Sequence, residues 1–293
     1  MIELVTTDSF DEVRAMVNEA FASGTIHPLL ILRQDSRFLE RVRVAEAILA
    51  DNDGTITSGA SWIAAGKFFT DPRHTDAETA ERAWYYGLHE DGEHFWHDRK
   101  PEDDADWAPA EAAWGARTIM RLAESGVTRE NIGAAGKLLL PRPGVHRLFD
   151  RHRARAIITF GIADVVEGFL RAHQLPSADI AGFRLVYDDQ GRVSSHHPGS
   201  CVTRACKGKA ALRFLASRGI RQEHSFSVFD SVVDRRMILP GGVSLLLVPG
   251  TEANSSLQRF RNMHVETLWD HGLDALLVDN DFEHLNELLD SAP

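Results

Sequence analysis

Residues 45–57 read AEAILADNDGTIT, and this stretch governs how the rest of the chain is read. Ala47-Ile48-Leu49-Ala50 is a short continuous apolar run, the pattern of a strand buried on both faces. It runs into Asp51-Asn52-Asp53-Gly54-Thr55. Acids two residues apart project to the same side of an extended chain. Held about 4 Å apart, two carboxylates repel by roughly 1–4 kcal/mol at effective dielectrics between bulk water and a protein surface. A proton, a lysine or a divalent cation must offset that repulsion. Gly54 permits a turn that a Cβ would resist. The same letters also suit a polar β-turn. A calcium loop is excluded, because Trp62 stands at the twelfth position where glutamate is required.

A chain of 293 residues can bury a full core. Its 43% hydrophobic and 26% charged residues are those of an ordinary globular protein. The net charge of -11 argues against a nucleic-acid polymer as partner. It allows a small phosphorylated substrate, for which one metal and one or two local cations suffice. Cys201 and Cys206 are the only cysteines, so no disulfide framework exists and a reducing compartment fits. The N-terminus lacks a signal-peptide pattern, and no apolar run approaches the ~20 residues of a membrane span. The expected location is cytoplasmic, with no membrane partner.

Residues 1–44 are expected to form a helical extension, with helices near 8–21 and 36–44 that pad the core or join two copies as a homodimer. Residues 60–140 read as a mostly helical insert, with helices at 77–88, 109–125 and 129–138 and a charged segment between the first two. Pro141-Arg142-Pro143-Gly144 punctuates the return. Strands at 155–160, 180–187, 225–229, 243–248 and 275–278 then alternate with helices at 163–173, 207–218, 254–271 and 282–289. That alternation predicts an α/β fold with a mostly parallel sheet, whose ligands bind beyond the carboxyl ends of the strands.

Three later stretches carry candidate chemistry. Thr159-Phe160-Gly161 closes a strand before a helix, where a hydroxyl and helix-start N–H groups can grip a phosphate. Lys207 opens a helix, where a cation opposes the macrodipole unless it faces an anion. Asp230 ends a strand and Asp234 follows four residues later, either capping a helix or helping hold a hard cation. Each stretch alone is weak, and taken singly a plain strand threonine or a solvated lysine is the better account of it.

Together, in chain order, Asp-x-Asp-Gly-Thr at 51–55, Thr159, Lys207 and Asp230/Asp234 resemble the four motifs of the haloacid dehalogenase (HAD) superfamily of phosphohydrolases. The resemblance covers nearly all of the chain after residue 45. Residues 157–167, IITFGIADVVE, are similar to the second-motif segment of the cytosolic pyrimidine 5′-nucleotidase family. That family also places a helical cap between its first and second motifs, and Tyr85-Tyr86 followed by Glu90 resembles its tyrosine pair. Asn52 and Phe229 depart from the pattern, standing where an apolar residue and a glycine are usual.

The resemblance implies a Rossmann-like HAD core, residues 45–59 and 141–293, with a cap at 60–140. It implies an Mg²⁺-dependent phosphomonoester hydrolase for a small phosphorylated metabolite, a nucleoside 5′-monophosphate among the candidates. Asp51 would be the nucleophile and Asp53 the acid and base. Mg²⁺ would be held by Asp51, the Asp53 backbone carbonyl, Asp230 and Asp234. Thr55, Thr159, Gly161 and Lys207, or Lys209 in its place, would bind phosphate. A phosphotransferase, a sugar or amino-acid phosphate phosphatase and a non-catalytic binding protein are the other readings. His89, His94 and His97 read as solvated rather than zinc-binding, and Trp84, Tyr85, Tyr86, Phe95 and Trp96 as packing more than base stacking.

Overall fold

The computed structural model describes residues 2–22, 27–34, 36–70, 84, 104–249 and 265–291, with side chains of 104–107 left aside. Its strands are β1 (Glu3–Thr6), β2 (Leu29–Leu32), β3 (Ala47–Ala50), β4 (Ala154–Ile162), β5 (Asp179–Phe183), β6 (Leu185–Tyr187), β7 (Val193–His196), β8 (Ser225–Phe229), β9 (Val243–Val248) and β10 (Ala275–Val278). Its helices are α1 (Phe10–Ala20), α2 (Phe38–Val44), α3 (Ser61–Gly66), α4 (Asp104–Glu124), α5 (Arg129–Leu138), α6 (Val145–Asp150), α7 (Ala163–Ala172), α8 (Lys207–Ser217), α9 (Val265–Asp270) and α10 (Glu283–Ser291). Eight strands form one sheet in the order β1-β2-β10-β9-β8-β3-β4-β5. From β10 to β5 every neighbouring pair is parallel.

The alternation of side chains explains why β3 is apolar throughout. Ile48 and Ala50 pack into one core with α2, α5, α6, α7 and α10, while Ala47 and Leu49 pack into the opposite core with α1, α8 and α9. A strand buried on both faces has no room for a polar residue until it leaves the sheet. Asp51 is that first residue beyond the sheet.

Residues 1–44 correct the expectation of a purely helical extension. β1 and β2 pair in parallel, and β2 pairs antiparallel with β10. The physical reason is the continuous run Leu29-Leu30-Ile31-Leu32, buried along most of its length against the last parallel strand. α1 turns Val13, Val17 and Ala20 into the core, so its apolar face is covered by the chain itself. The expected single strand over 180–187 is also two. Arg184 N–H donates to Ser200 Oγ and Leu185 N–H to Asp164 Oδ2, so the ladder with β4 stops and β6 pairs with β7 instead.

α4 starts at Asp104, so Pro109, expected to open it, lies inside its N-terminal part. The expected helix over 77–88, apart from Trp84, lies outside the described residues, as do Tyr85, Tyr86, His89, His94, Phe95, Trp96, His97 and the first half of 254–271. Among the described residues no helix is long and apolar enough to cross a membrane.

His152, after α6, is buried beneath the sheet beside Phe226. Its Nδ1 lies 2.9 Å from the Ala45 carbonyl and therefore donates, while its Nε2 is buried with no hydrogen-bond partner among the described residues. Burial lowers its pKa from 6.5 to about 4; Arg151 and Arg155 add to this and the Ala45 bond opposes it. In that window the unfolded chain takes up a proton that the folded chain refuses, so stability falls as pH falls. From pH 7 to pH 5 this one residue costs about 2 kcal/mol. We expect His152→Phe to lose that much less than wild type over the same interval, read as urea-unfolding free energies at the two pH values.

Candidate active site

Three parallel strands deliver the site. The Asp51 N–H donates to Val228 O of β8 at 3.0 Å, which fixes the chain where it leaves β3. Asp230 follows the end of β8. Ser231 then accepts from the Val233 N–H and caps the 3₁₀ turn Val232–Met237. Asp234 lies inside that turn, so capping does not explain it. Asp51, Asp230 and Asp234 are all buried, and each offers a carboxylate oxygen within 4.8 Å of the others. The Thr55 hydroxyl lies 3.4 Å from Asp51 Oδ2 and 3.4 Å from Asp230 Oδ1.

Lys207, the first residue of α8, reaches into this cluster. Its ammonium donates to Asp51 Oδ1 at 2.7 Å and to Asp234. Gly208 makes this approach possible, since a Cβ there would stand 2.5 Å from the Arg236 carbonyl oxygen in the turn that carries Asp234. Lys209 is exposed, so of the two lysines it is Lys207 that the fold brings to the acids.

Three buried carboxylates thus gather at this site, two of them on the Lys207 ammonium. Burial, Asp51 and Asp230 push the Asp234 carboxyl up, against the pull of Lys207. Burial disfavours the Lys207 ammonium, but Asp234 and Asp51 more than offset this and hold it protonated. A divalent cation would offset the carboxylate charge gathered here. A hard ion such as Mg²⁺ takes oxygen ligands, typically one or two carboxylates with waters and substrate phosphate, and this cluster offers them. The residues present therefore fit the metal the sequence resemblance implies.

Asp53 is outside that cluster. Its Oδ1 accepts from the Ser61 N–H at 2.9 Å and from the Asn52 side-chain amide. Its Oδ2 accepts from the Ser61 hydroxyl at 2.9 Å. Burial and then the Asp51 charge raise its pKa to about 6, while the Ser61 and Asn52 bonds oppose the rise. That value suits a group that gives and takes a proton near neutrality.

β4 supplies the opposite wall. Its pairing with β5 passes from Ile158↔Ala181 to Ile162↔Phe183, so the intervening residues bulge. Bulges re-aim side chains at strand ends. Here the bulge carries Thr159, whose Oγ1 accepts from the Gly161 N–H at 2.8 Å. A Cβ on Gly161 would lie 2.1 Å from Ser61 Oγ and 3.0 Å from both Asp53 Oδ2 and Thr159 Oγ1. Thr159 and Gly161 thus lie beside Asp53.

Sequence reading missed three supports. Ser61 gave only a weak signal, a hydroxyl residue opening a helix after Ser58-Gly59-Ala60. Arg142 read as punctuation, yet its guanidinium donates to Gly54 O at 3.1 and 2.7 Å and to Asn280 O at 2.8 Å, pinning the turn after Asp53. Glu111 on α4 pairs, fully buried, with Arg204, three residues before Lys207, and no sequence signal joins the two.

No protein-family model and no curated protein matches the chain. Solved structures do. Cytosolic 5′-nucleotidase IIIB bound to cytidine superposes with a TM-score of 0.58 at 16% identity, over 95% of this chain and 89% of that one. A HAD family hydrolase from Salmonella enterica serovar Typhi superposes with a TM-score of 0.52 at 15% identity, over 69% of this chain. The chain spans 62% of the length of that hydrolase. The protein therefore has the HAD hydrolase fold, as the motif order in the sequence implied.

Removing Lys207 would leave buried carboxylates without their ammonium, a change that typically costs about 3–5 kcal/mol. We expect Lys207→Met to lose stability on that scale in urea unfolding at pH 7. Lys209→Met, at an exposed position, should stay within about 0.5 kcal/mol of wild type.

Proposed function

We propose that the protein is an Mg²⁺-dependent phosphomonoester hydrolase that works through an aspartyl-phosphate on Asp51. The observation that carries this reading is the Lys207 ammonium held between Asp51 and Asp234, with Asp230 alongside. Such a cluster is a poor structural device, because burying like charges costs more than an apolar replacement. It is a good receiver for a phosphate and a cation. Residues 60–140, inserted between the end of β3 and the β4 bulge, would be the cap that covers the substrate, and residues 45–59 and 141–293 the core.

In this reading an Asp51 carboxylate oxygen attacks phosphorus and the bond to the leaving oxygen breaks. Asp53 gives its proton to that oxygen, then takes a proton from water as the water attacks the phosphorus. The second displacement frees Asp51 and inorganic phosphate. Thr55, Thr159, Gly161 and Lys207 line the place of the phosphate oxygens, and the lysine offsets their charge. Asp51, Asp230, Asp234 and the Asp53 carbonyl would hold Mg²⁺, which when bound supplies further neutralisation of the phosphate.

A nucleoside 5′-monophosphate heads the substrate candidates. The similarity of residues 157–167 to the pyrimidine 5′-nucleotidases supports this, as does a fold shared along 95% of the chain with a 5′-nucleotidase. A cytoplasmic location and a small-molecule partner go with it.

The test is phosphate release from UMP, CMP, purine monophosphates, sugar phosphates, phosphoserine and 4-nitrophenyl phosphate, with Mg²⁺ and with a chelator. Release should require Mg²⁺ and be greatest from pyrimidine monophosphates. Asp51→Asn should lower turnover by roughly 10⁴-fold or more, the scale on which losing a nucleophile acts. Near-normal release by that variant would remove Asp51 as nucleophile.

A further inference from the structure

We propose that Ser61 is the positioning residue that aims Asp53 at the leaving oxygen and ties it to the inserted helices. This rests on the hydrolase reading above and adds a residue that no motif contains.

α3 begins at Ser61, and its preceding residue, Ala60, has no side chain able to cap it. The orphan N–H at a helix start needs an acceptor. The Ser61 N–H finds Asp53 Oδ1 at 2.9 Å, so an acid eight residues earlier takes the role of the cap. The Ser61 hydroxyl has one proton and two acceptor positions. The Ile162 N–H lies 3.1 Å from its oxygen and can only donate. The hydroxyl proton is therefore left for Asp53 Oδ2, 2.9 Å away. One residue thus holds both oxygens of the carboxylate, and two bonds to one group fix the plane of that group as well as its position. Gly161, which leaves no room for a Cβ against Ser61 Oγ, seals the arrangement from the β4 side.

The same residue begins the insert. Trp62 packs edge-on against Trp114 of α4 at 5.1 Å and against Phe183 of β5 at 5.5 Å between ring centroids. A shift of α4 against the sheet reaches Asp53 through a single peptide unit. Ser61 is buried and makes no contact with the clustered carboxylates Asp51, Asp230 and Asp234 in the contacts described above, so its effect should fall on proton transfer to the leaving group.

That gives a readout which a merely structural role would not move. An alkoxide leaving group needs its proton, whereas 4-nitrophenolate is stable as an anion. General acid catalysis supplies about 10²–10⁴-fold where it is needed. The experiment compares kcat/KM for 4-nitrophenyl phosphate and for the fastest alkyl phosphomonoester of the panel, in wild type, Ser61→Ala, Ser61→Gly, Ser61→Thr and Asp53→Asn. The ratio of the two substrates within one preparation does not depend on the folded fraction. Ser61→Ala and Ser61→Gly should lose at least about tenfold on the alkyl ester and under about threefold on the aryl ester. Ser61→Thr, which keeps the hydroxyl, should keep the wild-type ratio, and Asp53→Asn should shift the ratio further in the same direction. A wild-type ratio in Ser61→Ala and Ser61→Gly would overturn the proposal. Wild-type protein that releases phosphate from neither ester would overturn the hydrolase reading itself, which is a different result.

Discussion

Everything around the site answers one constraint: three carboxylates share a buried volume with a single ammonium. Charges taken out of water must be paired or they force a change of protonation. Lys207 pairs two of the three directly, and burial, with the Asp51 and Asp230 charges behind it, still pushes the Asp234 carboxyl up. A divalent cation would offset the carboxylate charge without any such change of protonation. The same site then offers a phosphate one lysine, hydroxyl and amide donors and a cation instead of a wall of acids.

The fold places these groups with few degrees of freedom. β3 and β8 are neighbours in a parallel sheet with Ala50 level with Val228, so Asp51 and Asp230 leave it at the same end, one residue apart in register. β4, on the other side of β3, bulges at the same end and presents Thr159. Gly208 lets α8 press its first turn against the turn that carries Asp234, and Arg142 fixes the Gly54 carbonyl to the loop after β10. The insert is anchored at both ends of the site, through Ser61 beside Asp53 and through the buried Glu111–Arg204 pair just before Lys207. Changes in the packing of α3 and α4 therefore reach both the acid and the lysine.

Much of the core was legible because it is written in continuous apolar runs. Strands 225–229, 243–248 and 275–278 and the helix 129–138 occur where their patterns put them. The acids could be read from the sequence because an acid directly after such a run has left the core. β2 was equally apolar, yet it sits in a segment dominated by two amphipathic helices, and only its pairing with β10 shows what it is. The split of 180–187 depends on Asp164 and Ser200, which are distant in sequence. Lys207 could not be told from Lys209 without the Gly208–Arg236 contact that sets the approach of α8. Ser61, Arg142 and the Glu111–Arg204 pair act across sequence separations that carry no local pattern.

Calorimetric titration of the full chain with Mg²⁺ at constant ionic strength tests for a site built for a divalent cation without knowing the substrate. One Mg²⁺ should bind per chain, with affinity at least about tenfold weaker in Asp230→Asn, since each carboxylate is a substantial share of so small a ligand set. No binding at millimolar Mg²⁺, or binding that Asp230→Asn leaves unchanged, would contradict such a site.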